Sequence, residues 1–257
     1  MDKALITGAS SGLGLELAKR LALQKFSLII TGRNQNSLEK IEEELSHITE
    51  VKAIACDLTD AKQLKTLCEM IRSERPSLVI NNAGAGLYGD IFIHPTDEQI
   101  DVLRINVEAL TTITIDAAKA LKESGKKGVI MNISSAAGQL IYPSFSLYSA
   151  SKAYVTHMSR CLDAELKGHG IRVLVCCPGQ IKTPFRSRAS KGVDIETKDS
   201  KTMPVEKAAC LILDQIKKIK PFAIIDLRYK VLIFLATYLV PQKILQKALR
   251  REIQKRI

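Results

Sequence analysis

Histidine is scarce in this chain. Its 257 residues contain four, His47, His94, His157 and His169, with no H-E-x-x-H or comparable spacing. A histidine-built metal centre is therefore not expected. The six cysteines, Cys56, Cys68, Cys161, Cys176, Cys177 and Cys210, form no C-x-x-C pair, and most sit in apolar or helical runs. They read as buried thiols of a reducing compartment, not as disulfides or ligands. No G-x-S-x-G elbow is present, which argues against a serine hydrolase. The start, Met1-Asp2-Lys3 followed directly by Ala4-Leu5-Ile6-Thr7, lacks a basic stretch, apolar core and cleavage site, so the expected location is cytoplasmic. Long hydrophobic runs are missing too. VLIFLATYLV (231–240) meets Arg228 and Lys230 on one side and Pro241 on the other, well short of the roughly twenty residues a membrane-spanning helix needs. There is no internal repeat, linker or low-complexity segment.

The net charge is +11, unevenly spread. Residues 217–257 hold eleven Lys or Arg against two acids, Asp226 and Glu252, and so account for nine of the excess charges. The remaining body is nearly neutral, and no nucleic-acid surface is implied on it.

What is present is a regular alternation. Apolar strand candidates at 3–7, 27–31, 51–55, 78–81, 128–133, 171–176 and 223–225 are separated by helical patterns. Those helices are expected near 12–24, 35–47, 60–74, 97–121, 148–167 and 204–219. Strands this apolar want cover on both faces, and strict alternation with helices makes the crossovers parallel. The expectation is an α/β fold: one doubly wound domain over 1–225, with a mostly parallel seven-stranded sheet flanked by helices. Ligands of such sheets bind beyond the strands' carboxyl ends. Residues 180–203 are polar and rich in turn formers, suiting a substrate loop. Residues 226–257 read as a basic amphipathic helical extension.

The first strand feeds Gly8-Ala9-Ser10-Ser11-Gly12-Leu13-Gly14. These glycines allow a tight turn and close backbone approach, and the helix that follows offers free N–H groups to a pyrophosphate, as in Rossmann-type dinucleotide sites. The spacing, G-x-x-x-G-x-G, differs from the usual G-x-G-x-x-G. At the end of the second strand, where a carboxylate would hold a ribose 2′-hydroxyl, stands Arg33. A guanidinium matches a 2′-phosphate and favours NADP(H). A solvated Arg33 stacked on adenine would leave NAD(H) open. Asp57, with Leu58, ends the third strand and can accept from an adenine amino group. Asn82, Ala83 and Gly84 end the fourth, where small residues let a cofactor pass; Asn81 before them reads as structural.

Tyr148 and Lys152 are four apart on one helix and share a face. An ammonium beside a phenol is expected to lower its pKa and make it a proton donor or base for carbonyl chemistry. Ser134 and Ser135 end the fifth strand at the same crevice, and either can hydrogen-bond a developing oxyanion. Ser135 is preferred; Ser134 suits a supporting role. Asn106 lies inside a helix, where asparagine is unfavourable. Two readings fit it: an amide that interrupts the backbone ladder and holds a water behind Lys152, or a satisfied buried amide.

Together TGASSGLG (7–14), NNAG (81–84), Asn106, Ser135, YSASK (148–152) and PGQIKT (178–183) resemble the short-chain dehydrogenase/reductase family over roughly residues 3–220. The resemblance implies a catalytic tetrad of Asn106, Ser135, Tyr148 and Lys152. It also implies cofactor contacts from Pro178, Gly179, Ile181 and Thr183, with Thr183 on the nicotinamide carboxamide, and assembly into homodimers or homotetramers through the long central helices. Within the family the chain is most similar to reductases of hydrophobic carbonyls, including hydroxysteroid, 3-ketoacyl, ketosphinganine and bacterial DltE-like members. Phe145, Leu147 and Leu140 near the catalytic residues favour a small hydrophobic carbonyl or alcohol substrate.

After Pro241, Ile244, Leu245, Ala248, Leu249 and Ile253 keep a helical period among basic residues. That pattern suits peripheral contact at the inner face of a membrane. It equally suits a lid over the cleft or packing in an oligomer. Two other functions compete with an NADP(H)-dependent reductase. One is an NAD-dependent alcohol dehydrogenase working oxidatively; the other is a cofactor-binding sensor without turnover.

Overall fold

A computed structural model describes residues 2–191 and 202–238. Seven strands form one parallel sheet in the order β3-β2-β1-β4-β5-β6-β7. They are β1 (Lys3–Thr7), β2 (Ser27–Gly32), β3 (Val51–Ala55), β4 (Leu78–Asn81), β5 (Gly128–Ile133), β6 (Ile171–Cys177) and β7 (Phe222–Ile224). Six match the expected strands closely. The edge strand β7 begins one residue earlier and pairs Ala223 with Cys176.

The two faces follow from the two-residue period of a strand. Ala4 and Ile6 of β1, Leu28 and Ile30 of β2, and Leu78 and Ile80 of β4 point to one side. There they meet α1 (Gly12–Leu23), α2 (Gln35–Ser46) and α8 (Val205–Lys217) through Leu17, Leu38 and Ile212. The intervening Leu5, Ile29 and Val79 point to the other side. They pack on α3 (Ala61–Glu74) and α5 (Leu110–Glu123) through Leu67, Ile71 and Ile113. A sheet covered on both faces is why its strands are apolar at every position. Local signals set the helix starts. The Asn34 side chain accepts from the Ser37 amide at 2.8 Å, and Asp60 accepts from the Lys62 and Gln63 amides.

The chain runs outward from β1 to β3, then returns to place β4 on the opposite side of β1. The β1/β4 boundary is thus the point where strand order reverses and a crevice opens.

The long helix expected at 97–121 is interrupted. It is α4 (Thr96–Leu103), a π-helical turn (Arg104–Ala109) and α5. Asn106 lies in the π turn, fully buried, with its side chain bonded to another segment and not to its own helix. The 21-residue helix α6 (Ser146–Leu166) begins two residues before the expected start. The 180–203 segment is not a plain loop. Its ends are joined by the Ile181–Met203 bridge, and it carries a short helix, α7 (Phe185–Ser190). Residues 192–201 lie outside the described residues.

The extension begins as α9 (Leu227–Tyr238), packed on β7 and on the 3-10 turn Ala136–Gln139. The amphipathic pattern at 243–256 lies outside the described residues. No helix among the described residues is long and apolar enough to cross a membrane, and no cluster of metal-ligating side chains occurs among them. All six cysteines are free, but Cys161 and Cys210 are exposed, contrary to the buried reading, because they lie on outward faces of α6 and α8.

Candidate active site

The carboxyl ends of β1, β4, β5 and β6 open into one cavity of about 680 Å³. At its floor the turn after β1 takes positive φ at Gly8 (+68°) and Gly12 (+56°), which side chains rarely adopt. Gly8 also lies against β4's end: a Cβ on it would stand 2.9 Å from the Ala83 Cα. Gly14 does not line the cavity. A Cβ there would meet the Gly8 carbonyl oxygen at 2.3 Å, so its role is to let the helix close against the turn. The Asn82 amide fixes this arrangement by donating to the carbonyls of Thr7 (3.0 Å) and Gly8 (3.2 Å). Ser10, Ser11, Leu13 and Gly84 complete that wall.

Further along, Arg33, Asp57 and Leu58 line the cavity. Ser10 packs over Gly32, next to Arg33: a Cβ on Gly32 would stand 3.1 Å from its hydroxyl. Asp57 accepts from the amide and hydroxyl of Thr59. The Thr31 hydroxyl is buried at the same wall with no partner among the described residues. On the opposite side lie Pro178, Gly179, Ile181 and Thr183. A Cβ on Gly12 would meet Thr183 at 3.1 Å, so the cleft narrows where glycine sits. A glycine-lined trough crossing a strand-order reversal, with an orphaned hydroxyl and an arginine at one end, fits a dinucleotide.

The tetrad candidates converge at the other end. Tyr148 and Lys152 lie on α6, both buried, with the Lys152 Nζ 5.7 Å from the Tyr148 ring centre. Ser135 hydrogen-bonds the Tyr148 phenol. Ser134 is turned inward, donating to the Lys152 carbonyl (2.7 Å) and sharing a bond with Thr156, as its supporting role requires. Asn106 does not line the cavity. It stands behind Gly84, accepting from the Ala85 amide (2.9 Å) and donating to the Ala85 carbonyl (2.8 Å) and the Ser151 hydroxyl (3.0 Å). A Cβ on Gly84 would meet the Asn106 Oδ1 at 3.3 Å and the Lys152 Nζ at 3.4 Å, so only glycine fits between them and the cavity.

One expectation is overturned. Lys152 does not lower the Tyr148 pKa here. Burial pushes the phenol up to about 12, against a smaller downward pull from the Ser135 hydrogen bond. Burial likewise pushes Lys152 down to about 8. Its Nζ donates to the Ile133 carbonyl at 3.0 Å.

The substrate end is aromatic. Phe145 is stacked between Tyr88 (4.0 Å between centres) and Tyr148 (4.2 Å), while Phe185 leans on Tyr148 at 5.6 Å. Gly86 permits this, since a Cβ there would strike Phe145 and Phe185 at 2.9 and 3.2 Å. Leu140 lines the cavity, but Leu147 faces a separate small one of about 30 Å³. Tyr88, Phe185, Tyr229 and Leu232 were not found from sequence. They arrive from distant segments, and only the place of Phe185 just after Thr183 hinted at one of them.

Residues 2–194 match the family model described as short chain dehydrogenase. The chain belongs to the short-chain dehydrogenase/reductase family. It is 35% identical over 190 residues to sulfoacetaldehyde reductase 2 of Chromohalobacter salexigens, covering 72% of this chain and 74% of that one. It is 31% identical over 220 residues to 17-beta-hydroxysteroid dehydrogenase type 3 of Rattus norvegicus, covering 81% and 72%. A short-chain dehydrogenase from Sphingobium yanoikuyae in complex with NADPH superposes with a TM-score of 0.84 at 29% identity, covering 92% of this chain and 94% of that one. This dehydrogenase/reductase is an oxidoreductase acting on alcohol and carbonyl groups with a nicotinamide cofactor.

Proposed function

We propose that this short-chain dehydrogenase/reductase is an NADP(H)-dependent reductase of hydrophobic ketones. The observation that carries the substrate class is the aromatic stack of Tyr88, Phe145 and Tyr148, closed by Phe185. An apolar ketone gains by leaving water for such walls, at about 25 cal/mol per Å² buried. The steroid named for the rat relative fits this chemistry better than the small sulfonate named for the bacterial one.

The cofactor reading rests on Arg33, with Ser10 beside it and no carboxylate at the end of β2. A nicotinamide bound in the trough supplies the hydride for the carbonyl carbon. Ser135 and Tyr148 hold the carbonyl oxygen. The buried phenol keeps its proton at neutral pH and is therefore suited to donate it as the oxygen gains charge. Lys152 titrates closer to neutrality and returns a proton to the tyrosine side. Asn106 holds the Ala85 backbone and bonds the Ser151 hydroxyl next to Lys152 in sequence, so it acts as a positioning residue.

The catalytic unit in this reading is 1–225, and the start of the 226–257 extension completes its cleft. Tyr229 packs directly on Gly179, and Leu232 lines the cavity. Leu227, Val231 and Phe234 are exposed on α9, and the basic stretch 243–256 follows them. These features support peripheral attachment to an anionic lipid surface. A chain ending after Tyr238 is expected to lose binding to anionic liposomes, and retained binding would sink that attachment. Homodimers or homotetramers remain the expected assembly, as is usual for the family.

The reductase reading is tested by following NADPH and NADH consumption across steroid, 3-ketoacyl, ketosphinganine and small polar carbonyls. Turnover that prefers NADPH and bulky apolar ketones supports it. Turnover confined to small polar carbonyls, or to alcohol oxidation with NAD, overturns it.

A further inference from the structure

Three elements meet behind the wall that carries Ser135. The 3-10 turn Ala136–Gln139 follows Ser135, whose hydroxyl bonds the Tyr148 phenol and accepts from the Ala137 amide at 3.1 Å. The turn is pressed on α6 at Lys152: a Cβ on Gly138 would stand 2.6 Å from the Lys152 carbonyl carbon. The end of β6 closes the third side with Cys177, which is fully buried. Gln139 does not line the cavity; it reaches from the turn into this junction. Its Nε2 donates to the Thr156 hydroxyl oxygen at 3.1 Å and to the Cys177 sulfur at 3.7 Å. Thr156 sits one helical turn after Lys152 and donates to the Lys152 carbonyl at 3.0 Å. Ser134 donates to that same carbonyl at 2.7 Å.

We propose that Gln139 is a positioning residue for the carbonyl reaction, tying the turn that carries Ser135 to the helical turn that carries Lys152. This rests on the roles given above to Ser135, Tyr148 and Lys152. A hydroxyl has one proton to give. Thr156 has three places for it: the Lys152 carbonyl, the Ser134 hydroxyl at 2.8 Å and the Cys177 sulfur at 3.6 Å. One Gln139 N–H occupies a lone pair of the Thr156 oxygen, and the other takes the sulfur. The Thr156 proton is then left for the Lys152 carbonyl. A single side-chain amide thus orders a network across turn, helix and strand, and the bonds of such a buried network reinforce one another. The Ala136 amide, donating to the Pro178 carbonyl at 2.8 Å, holds the near end of the turn; Gln139 holds the far end. With the far end released, Ser135 and the phenol it bonds lose their fixed place relative to Lys152. Reacting groups misplaced by a fraction of an ångström cost rate, while the glycine trough is untouched.

The test is turnover of an apolar ketone with NADPH by the natural chain, Gln139→Met, Ser135→Ala and the double variant, with amide hydrogen exchange over residues 136–139 read alongside. Loss of the hydrogen bonds should lower kcat about tenfold in Gln139→Met and leave the KM for NADPH unchanged. Added to Ser135→Ala, the same change should cost less than about twofold, because the group it positions is gone. The Ala137 amide, held by the Ser135 hydroxyl, should exchange about tenfold faster in Gln139→Met. If Gln139→Met does not fold, Thr156→Val, which removes the other end of the bond, is read in its place. An equal loss of kcat with and without Ser135 would overturn the proposal, because Gln139 would then act elsewhere. A lower melting temperature with natural kcat and natural exchange would overturn it too, leaving a purely structural amide. So would a raised KM for NADPH at unchanged kcat. Absence of ketone turnover in the natural chain would remove the reductase reading, and exchange then decides alone: a faster Ala137 amide upholds the tie, and an unchanged one overturns it.

Discussion

Replacing Asn106 by alanine isolates the role of the π turn. The change deletes three hydrogen bonds, two of them to the backbone of Ala85. Ser151 still donates to the Tyr148 carbonyl at 2.7 Å, so its hydroxyl keeps a partner. The Ala85 N–H and C=O lose theirs, at about 1 kcal/mol or more each in a part-buried segment, and the space left by the amide adds to this. A total of about 2–4 kcal/mol corresponds to a fall in melting temperature of roughly 5–15 °C for a chain this long. Activity should fall as well, because Ala85 and Gly84 before it both line the cavity. Asn106→Asp keeps the acceptor for the Ala85 amide and loses both donated bonds, so it should lie between. Thermal unfolding and steady-state turnover of the three proteins decide the matter. An Asn106→Ala protein that melts with the natural one would refute the view that this side chain anchors the cofactor-side loop.

Arg33→Asp should reverse the cofactor preference, since a carboxylate repels a 2′-phosphate and accepts from a ribose hydroxyl. Comparison of kcat/KM for NADPH and NADH reads this directly, and an unchanged ratio would contradict the role given to Arg33. Burial of Lys152 makes a pH prediction. Its folded pKa, about 8, lies below its ordinary 10.5, so between these values the unfolded chain holds a proton that the folded one has released. This group therefore makes stability rise with pH across that window, and its contribution is lost as pH falls through about 8. Denaturant midpoints of the natural chain and Lys152→Met, compared across the window, should differ in slope in that sense. Equal slopes would show that Lys152 is not desolvated.

Much of the fold was legible because its determinants are local. Six strands are short apolar runs bounded by turn residues, and the glycines at 8, 12 and 14 announce the one place where the backbone must bend and be approached closely. The Tyr148–Lys152 spacing likewise placed two side chains on one helical face. Other features were hidden for identifiable reasons. The π turn inserts its extra residue without breaking the apolar pattern from 97 to 121, so periodicity alone reads one helix. The aromatic wall is built from Tyr88, Phe145 and Phe185, which lie far apart in sequence and meet only because Gly86 leaves room. The direction of the Tyr148 shift depends on burial and on where Lys152 donates, and neither follows from a four-residue spacing. Leu147 and Leu140 are both apolar and near the motif, yet only Leu140 faces the main cavity, because Leu147 turns to the other side of α6.

In the proposed reaction Tyr148 gives its proton to a carbonyl oxygen while the cofactor site works independently of that proton. Its most direct test is turnover of a bulky apolar ketone by Tyr148→Phe at saturating NADPH, measured together with NADPH affinity. Turnover is expected to fall by at least about a hundredfold while affinity stays close to that of the natural chain. Turnover undiminished in Tyr148→Phe, with NADPH bound, would contradict it.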